Sequence, residues 1–158
     1  WLTKGRKPLF RLFGYAGTGK TTLAKYFAQQ VSGDVQFAAF TGTQLAFHQS
    51  NHEGELVDLI QSARMSADAL IINPAAYSFT SIAIYDAMKI FEGPIYEVHI
   101  SNIHARDELH RHSKLSAAVK GVIAGLGPYG YIVAMQAALQ GAGQLPASLP
   151  AAIRVGPK

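Results

Sequence analysis

Glu97-Val98-His99 is the stretch whose residue types and spacing most directly permit proton chemistry. It lies at the end of an apolar run, Ile95 to Val98, that reads as a strand. Residues i and i+2 of a strand share a face, with Cα atoms roughly 6.5–7 Å apart, so the carboxylate and the imidazole stand side by side. A carboxylate neighbour favours the protonated imidazole, the form a proton donor needs. Taken alone, a solvated Glu and His at a strand end is the plainer account. Asn73-Pro74 closes a second apolar run, Ala69 to Ile72. Gly14-Tyr15-Ala16-Gly17-Thr18-Gly19-Lys20-Thr21 satisfies the phosphate-loop pattern G-x-x-x-x-G-K-[ST]. In that pattern Gly14 and Gly19 let successive amides curl round a phosphate, Lys20 adds a charge and Thr21 can ligate Mg²⁺. The plainer account of it is a tight strand-to-helix turn.

The elements that must position these residues alternate between short apolar runs and helix-period segments, the pattern of a parallel sheet. Leu9 to Phe13 reads as the first strand, and Thr21 to Val31 as a helix. Val35–Phe40 and Gln44–His48 compete for the second strand, because Thr41-Gly42-Thr43 is too short for a parallel crossover between them. Ser50-Asn51-His52-Glu53 is a capping-box pattern opening a helix with Leu56, Leu59, Ile60 and Ala63 on one face. Thr80 to Phe91 reads as a helix with Ile84, Ala87, Met88 and Phe91 toward the core. Val119 to Ala124 reads as the last strand, and Pro128 starts the last helix. The expected fold is α/β, a flavodoxin-like, doubly wound, parallel five-stranded sheet. Ligands of such sheets bind beyond the carboxyl ends of the strands, where Asn73 and His99 fall. Residues 1–8 form a basic arm, 9–140 one domain, and 141–158 a flexible tail rich in Gly, Pro and Ala.

A chain of 158 residues suffices for one full core. Hydrophobic residues make up 49% and charged residues 15%, so part of the apolar surface is expected in an oligomer interface. The formal charge of +4 favours anionic partners, but the basic residues are scattered, which weighs against a nucleic-acid stripe. The absence of cysteine excludes disulfides, zinc-thiolate sites and thiol nucleophiles, and fits the cytoplasm. Glycines and Pro128 interrupt the uncharged stretch 121–139, which reads as strand and helix rather than a membrane span. His52, His104 and His112 are expected to be structural or exposed, with no metal-ligand spacing.

Four strings, Gln49-Ser50-Asn51-His52-Glu53-Gly54-Glu55, Ile72-Asn73-Pro74-Ala75-Ala76-Tyr77, Glu97-Val98-His99-Ile100-Ser101-Asn102 and Gly121 to Gly127, occur in order. Together they make residues 44–139 resemble a type II 3-dehydroquinate dehydratase. The resemblance implies loss of water from 3-dehydroquinate through an enolate, without metal or organic cofactor, in an oligomer of trimers, usually a dodecamer. It implies His99 as the acid with Glu97 behind it, Asn73 on the ring hydroxyls, and the Ile100 and Ser101 amides on the carboxylate. It further implies that Asp86 reaches a neighbouring subunit's site, and that His110 or the adjacent Arg111 contacts substrate.

The resemblance departs at three places. Thr21-Thr22-Leu23-Ala24 matches the start of the family's first helix, so the position of its base Tyr falls on Thr18, and no lid Arg precedes it. Phe79 stands where the family has a substrate-binding His, and His110 where it has an Arg. General base catalysis is worth about 10²–10⁴-fold, so turnover is expected to be weak or absent unless another group takes over. Residues 9–42 instead resemble the start of a P-loop ATPase, without an acidic strand end to hold Mg²⁺. The alternative is therefore a phosphate- or nucleotide-binding module whose ligand is Mg-ATP.

Overall fold

The computed structural model describes residues 9–14 and 44–141, the first segment and residues 44–45 through the backbone. Five strands, β1 (Leu9–Gly14), β2 (Gln44–Phe47), β3 (Ala69–Asn73), β4 (Ile95–His99) and β5 (Gly121–Ala124), form one sheet. Their order is β2-β1-β3-β4-β5, and every neighbouring pair is parallel. Gln44–Phe47 thus fills the second-strand position, while Val35–Phe40 lies outside the described residues. The basic arm, residues 1–8, and all of the expected tail 141–158 except Gly141, which ends the last helix, also lie outside them.

Both faces of the sheet are covered, which is why β3 and β4 are buried at every position. Alternation along the strands divides the core in two. Ala69, Ile71, Tyr96 and Val98 pack against Tyr131, Ile132, Met135 and Leu139 of the last helix, Tyr129–Gly141. Leu70, Ile72 and Ile95 face the other way, against Leu56 and Ile60 of α1 (Glu53–Ala63), Ile84 and Met88 of α3 (Ile82–Lys89), and Leu115. Glu97 and His99 alternate with Val98, so they share this second face with Ile95. The Tyr129–Gly141 helix is α4, and a short α2 (Tyr77–Thr80) precedes α3. No described helix is long and apolar enough to cross a membrane.

Three local expectations need correction. Ser50 does not cap α1: the N-cap is His52, without a side-chain cap, and Ser50 Oγ accepts from the His52 amide and donates to Glu55 rather than engaging Glu53. The expected helix over 80–91 is split, because Ser81 adopts an extended backbone and its Oγ accepts from the Ile84 amide at 2.8 Å, capping α3. The last strand begins at Gly121 rather than Val119, since Val119 ends a 3-10 turn, Leu115–Ala118.

The loop leaving β5 pins the end of β4. Gly125 donates its amide to the His99 carbonyl at 3.2 Å, and Gly127 donates to that of Ile100 at 2.9 Å. Gly125 has φ +86°, where a side chain is strained, and an added Cβ would lie 3.3 Å from Asn102 Cβ. Gly125→Ala is therefore expected to lower stability by about 1–3 kcal/mol, read from urea unfolding.

Candidate active site

Beyond the carboxyl ends of β3 and β4 lies a cavity of about 350 Å³. Its walls include Asn73, Phe79, His99, Ile100, Ser101 and His110, with Arg106 among them. The register explains the meeting: Ile72 pairs with Glu97 and Gly14 with Asn73, so three strand ends converge there. Gly14, the last residue of β1, is the one phosphate-loop candidate within the described residues; Gly19, Lys20 and Thr21 lie outside them.

His99 Nε2 lies 2.8 Å from Glu97 Oε1, with both side chains almost wholly buried, at 5% and 0% exposure. Glu97 does not touch the cavity; it stands behind His99. Ser113 Oγ donates to Glu97 Oε1 at 2.6 Å, and Ser116 Oγ to Oε2 at 3.0 Å. Burial pushes the Glu97 carboxyl up, but the hydrogen bonds from His99 and Ser113, the charge of His99 and the Ser116 hydroxyl outweigh it. The net direction is down, so Glu97 is ionised and can orient His99 through one ring nitrogen.

Asn73 is held from two sides. Its Nδ2 donates to the Tyr131 hydroxyl at 2.8 Å, and its Oδ1 accepts from the Ala75 amide at 3.2 Å. Amide valence leaves one N–H and one lone pair for a ligand. Phe79 touches both histidines of the cavity. Its ring is stacked with His99, centroids 6.3 Å apart, and edge-on to His110 at 5.3 Å. His110 Nδ1 lies 2.7 Å from Asp107 Oδ1 and 2.8 Å from Oδ2. That hydrogen bond, above all, holds the exposed Asp107 carboxyl below its ordinary range.

Arg111 does not line the cavity. Its Nη2 donates to the Arg106 carbonyl at 3.1 Å and its Nη1 approaches Glu108 at 3.6 Å, so it braces the loop from which Arg106 reaches the wall. Sequence reasoning did not single out Arg106, whose only signal was its place in the basic loop after β4. Ser113, Ser116 and Tyr131 were missed as well, their partners lying 16, 19 and 58 residues away in the chain. Asp86 is exposed on α3 and is not part of the cavity wall.

Residues 16–139 match the family described as Dehydroquinase class II. The chain belongs to that family. The match begins upstream of residue 44, where the resemblance was expected to start. The 3-dehydroquinate dehydratase 1 of Agrobacterium fabrum is 52% identical over 103 residues, covering 65% of this chain and 71% of that protein. The 3-dehydroquinate dehydratase of Wolinella succinogenes is 57% identical over 99 residues, 63% of this chain and 60% of that protein. The crystal structure of the type II dehydroquinase from Propionibacterium acnes superposes with a TM-score of 0.68 at 30% identity, covering 83% of this chain and 95% of that one.

The lowered position of the Glu97 carboxyl gives a pH dependence of known sign. A carboxyl that binds protons more weakly when folded stabilises the fold above its unfolded value and loses that contribution as pH falls through the folded one. The parent should therefore lose stability more steeply than Glu97→Gln below about pH 4.3, the ordinary Glu value. Urea midpoints measured from pH 7 to pH 3 check this, with Glu97→Gln the less stable protein at neutral pH.

Proposed function

We propose that the cavity catalyses the loss of water from 3-dehydroquinate, a carbon-oxygen lyase reaction that needs no metal or organic cofactor. The observation that carries this reading is the buried His99–Glu97 pair, with His99 opening onto the same cavity as Asn73, Ile100 and Ser101. His99, protonated, gives its proton to the departing hydroxyl. Glu97 holds the ring in place and balances its charge. Asn73 uses its remaining N–H and lone pair on the ring hydroxyls. The amides of Ile100 and Ser101 hold the carboxylate, and Arg106 adds permanent positive charge at the wall.

The sheet order and the helices on both faces support a flavodoxin-like, doubly wound fold, in which a ligand site beyond the strand ends is the rule. An oligomer of trimers, twelve subunits in all, accounts for the exposed acid of α3: Asp86 reaches a neighbouring subunit's cavity. Ile82 and Ile90, exposed one helical turn on either side of it, add apolar contact area.

Ultraviolet absorbance of the conjugated enone follows the reaction directly. His99→Ala should abolish enone formation, while calorimetry should find 3-dehydroquinate still bound. Asn73→Ala should weaken that binding by about 1–3 kcal/mol, the usual cost of leaving a buried polar partner unpaired. Unchanged affinity in Asn73→Ala would remove the pocket assignment. Heat from Mg-ATP instead of 3-dehydroquinate would favour the phosphate-loop alternative. Light scattering checks the assembly, and a monodisperse monomer at micromolar concentration counts against it.

A further inference from the structure

A carboxylate that holds a ring nitrogen in place must itself be held, because a glutamate side chain turns easily about its last carbon–carbon bond. At Glu97 two serines from the chain's return to β5 do this. Oε1 meets both His99 Nε2, at 2.8 Å, and the Ser113 hydroxyl, at 2.6 Å. Oε2 accepts from the Ser116 hydroxyl at 3.0 Å. A donor on each oxygen fixes the carboxylate plane, and with it the direction in which the His99 ring is held.

The Ser113 hydroxyl is prepared for this task. It accepts from the Leu115 amide at 3.1 Å, which leaves its own hydrogen to point at the carboxylate. A hydroxyl has one hydrogen to give. The Ser78 carbonyl, 3.5 Å away, competes poorly for it with an anionic oxygen at 2.6 Å. An amide that donates into the hydroxyl also strengthens the bond that the hydroxyl gives. Neither serine lines the cavity. Both act on it from behind, through a carboxylate that is wholly buried.

We infer that Ser113 and Ser116 are positioning residues for proton transfer at His99: their hydroxyls keep the Glu97 carboxylate charged and turned toward the ring. The inference rests on the dehydratase reading above, in which His99 gives up the proton. Its consequence is electrostatic as well as geometric. A hydroxyl donor stabilises the carboxylate in every state in which it is negative, and most where the ring no longer balances the charge. Glu97 and His99 are 2.8 Å apart, so their protons come off in two steps that belong to the pair. Losing either hydroxyl makes both steps harder, and both move to higher pH. Among the described residues His99 is the one titratable group whose charge acts on Glu97. Helices α1 and α3 cover this face with apolar side chains, while Asp58, Asp86, Lys89 and Lys114 are exposed. Arg106 and His110, with Asp107 beside it, are the other charged or titratable groups at the cavity, and the serine variants leave them in place.

The experiment follows enone absorbance across the pH range for the parent, Ser113→Ala, Ser116→Ala, the double variant, Ser113→Thr and His99→Ala. Calorimetry of 3-dehydroquinate and urea midpoints run alongside. Ser113→Ala should lose about tenfold in kcat at neutral pH, the usual cost of an outer hydrogen-bond partner, with affinity within about twofold of the parent. Both limbs of its kcat profile should move up by about one pH unit, and those of the double variant further. Ser113→Thr, which keeps the hydroxyl, should return the profile to the parent's position. Serines with a merely structural role would lower the urea midpoint and kcat without moving either limb. Unmoved limbs in the double variant, or in both single variants where the double does not fold, overturn the assignment of the serines alone if His99→Ala is inactive. A parent without turnover, or one indifferent to His99→Ala, overturns the dehydratase reading and this inference with it.

Discussion

A carboxylate with no access to water stands at the centre of the functional half of this molecule, and much of the surrounding chain is arranged to keep it charged. An unpaired buried charge is far costlier than any single apolar contact is favourable, so Glu97 demands donors on every side. It has three: the imidazole of His99 from its own strand, and the hydroxyls of Ser113 and Ser116 from the segment returning to β5. That demand sets the course of the chain between β4 and β5. The segment after β4 must bring two serines back over the sheet, and its 3-10 turns do so while Leu115 anchors the return in the apolar core. The Lys114 amide donates to the Ser78 carbonyl at 2.8 Å, tying this return to α2. The charge of Glu97 is thus linked to the position of Phe79, one residue along.

The second constraint is the pairing of strands. In a parallel sheet covered on both faces, register fixes which side chains face which layer, and a slip of one residue would exchange the two faces. The pairing of Ile72 with Glu97 therefore decides that Glu97 and His99 look toward α1, α3 and the serines rather than toward α4. Asn73 continues the Ala69 and Ile71 face of β3, so Tyr131 of α4 reaches it from the layer that face packs against, and it meets His99 of the other face only where the strands end. The site is a consequence of three strands stopping together, with amides of the glycine turn after β5 fixing one of those ends.

How far the residues announced this differs by the range of the contact. Strands β3 and β4 were legible because each is a short apolar run ended by polar residues, and that patterning is local. The same locality made Asn73, His99, Ile100 and Ser101 recognisable as strand-end groups, and they do meet at one cavity. Contacts across long stretches of chain were not legible: no spacing rule connects Glu97 to Ser113 and Ser116, or Asn73 to Tyr131. Naming Arg111 and overlooking Arg106 has a related reason. A 3-10 turn at Glu108–His110 lies between them, so the direction each arginine takes depends on a turn that the composition of the segment does not reveal. Capping gave a third kind of miss: Ser50 and Ser81 carry equal cap propensity, yet only Ser81 sits where a free helix amide needs it.

Two carboxylate–imidazole pairs stand at one cavity, and their environments differ in access to water. Glu97 and His99 are closed off, and every oxygen of the acid is taken, so the ion pair is held rigidly with little water to screen it. Asp107 and His110 lie on an exposed turn, where water weakens the attraction. The difference arises from position in the fold rather than from residue type. One pair is on a central strand under a covering layer, and the other is on a 3-10 turn at the rim. Phe79 touches both imidazoles, stacked with His99 and edge-on to His110, so an apolar ring links the covered pair to the exposed one.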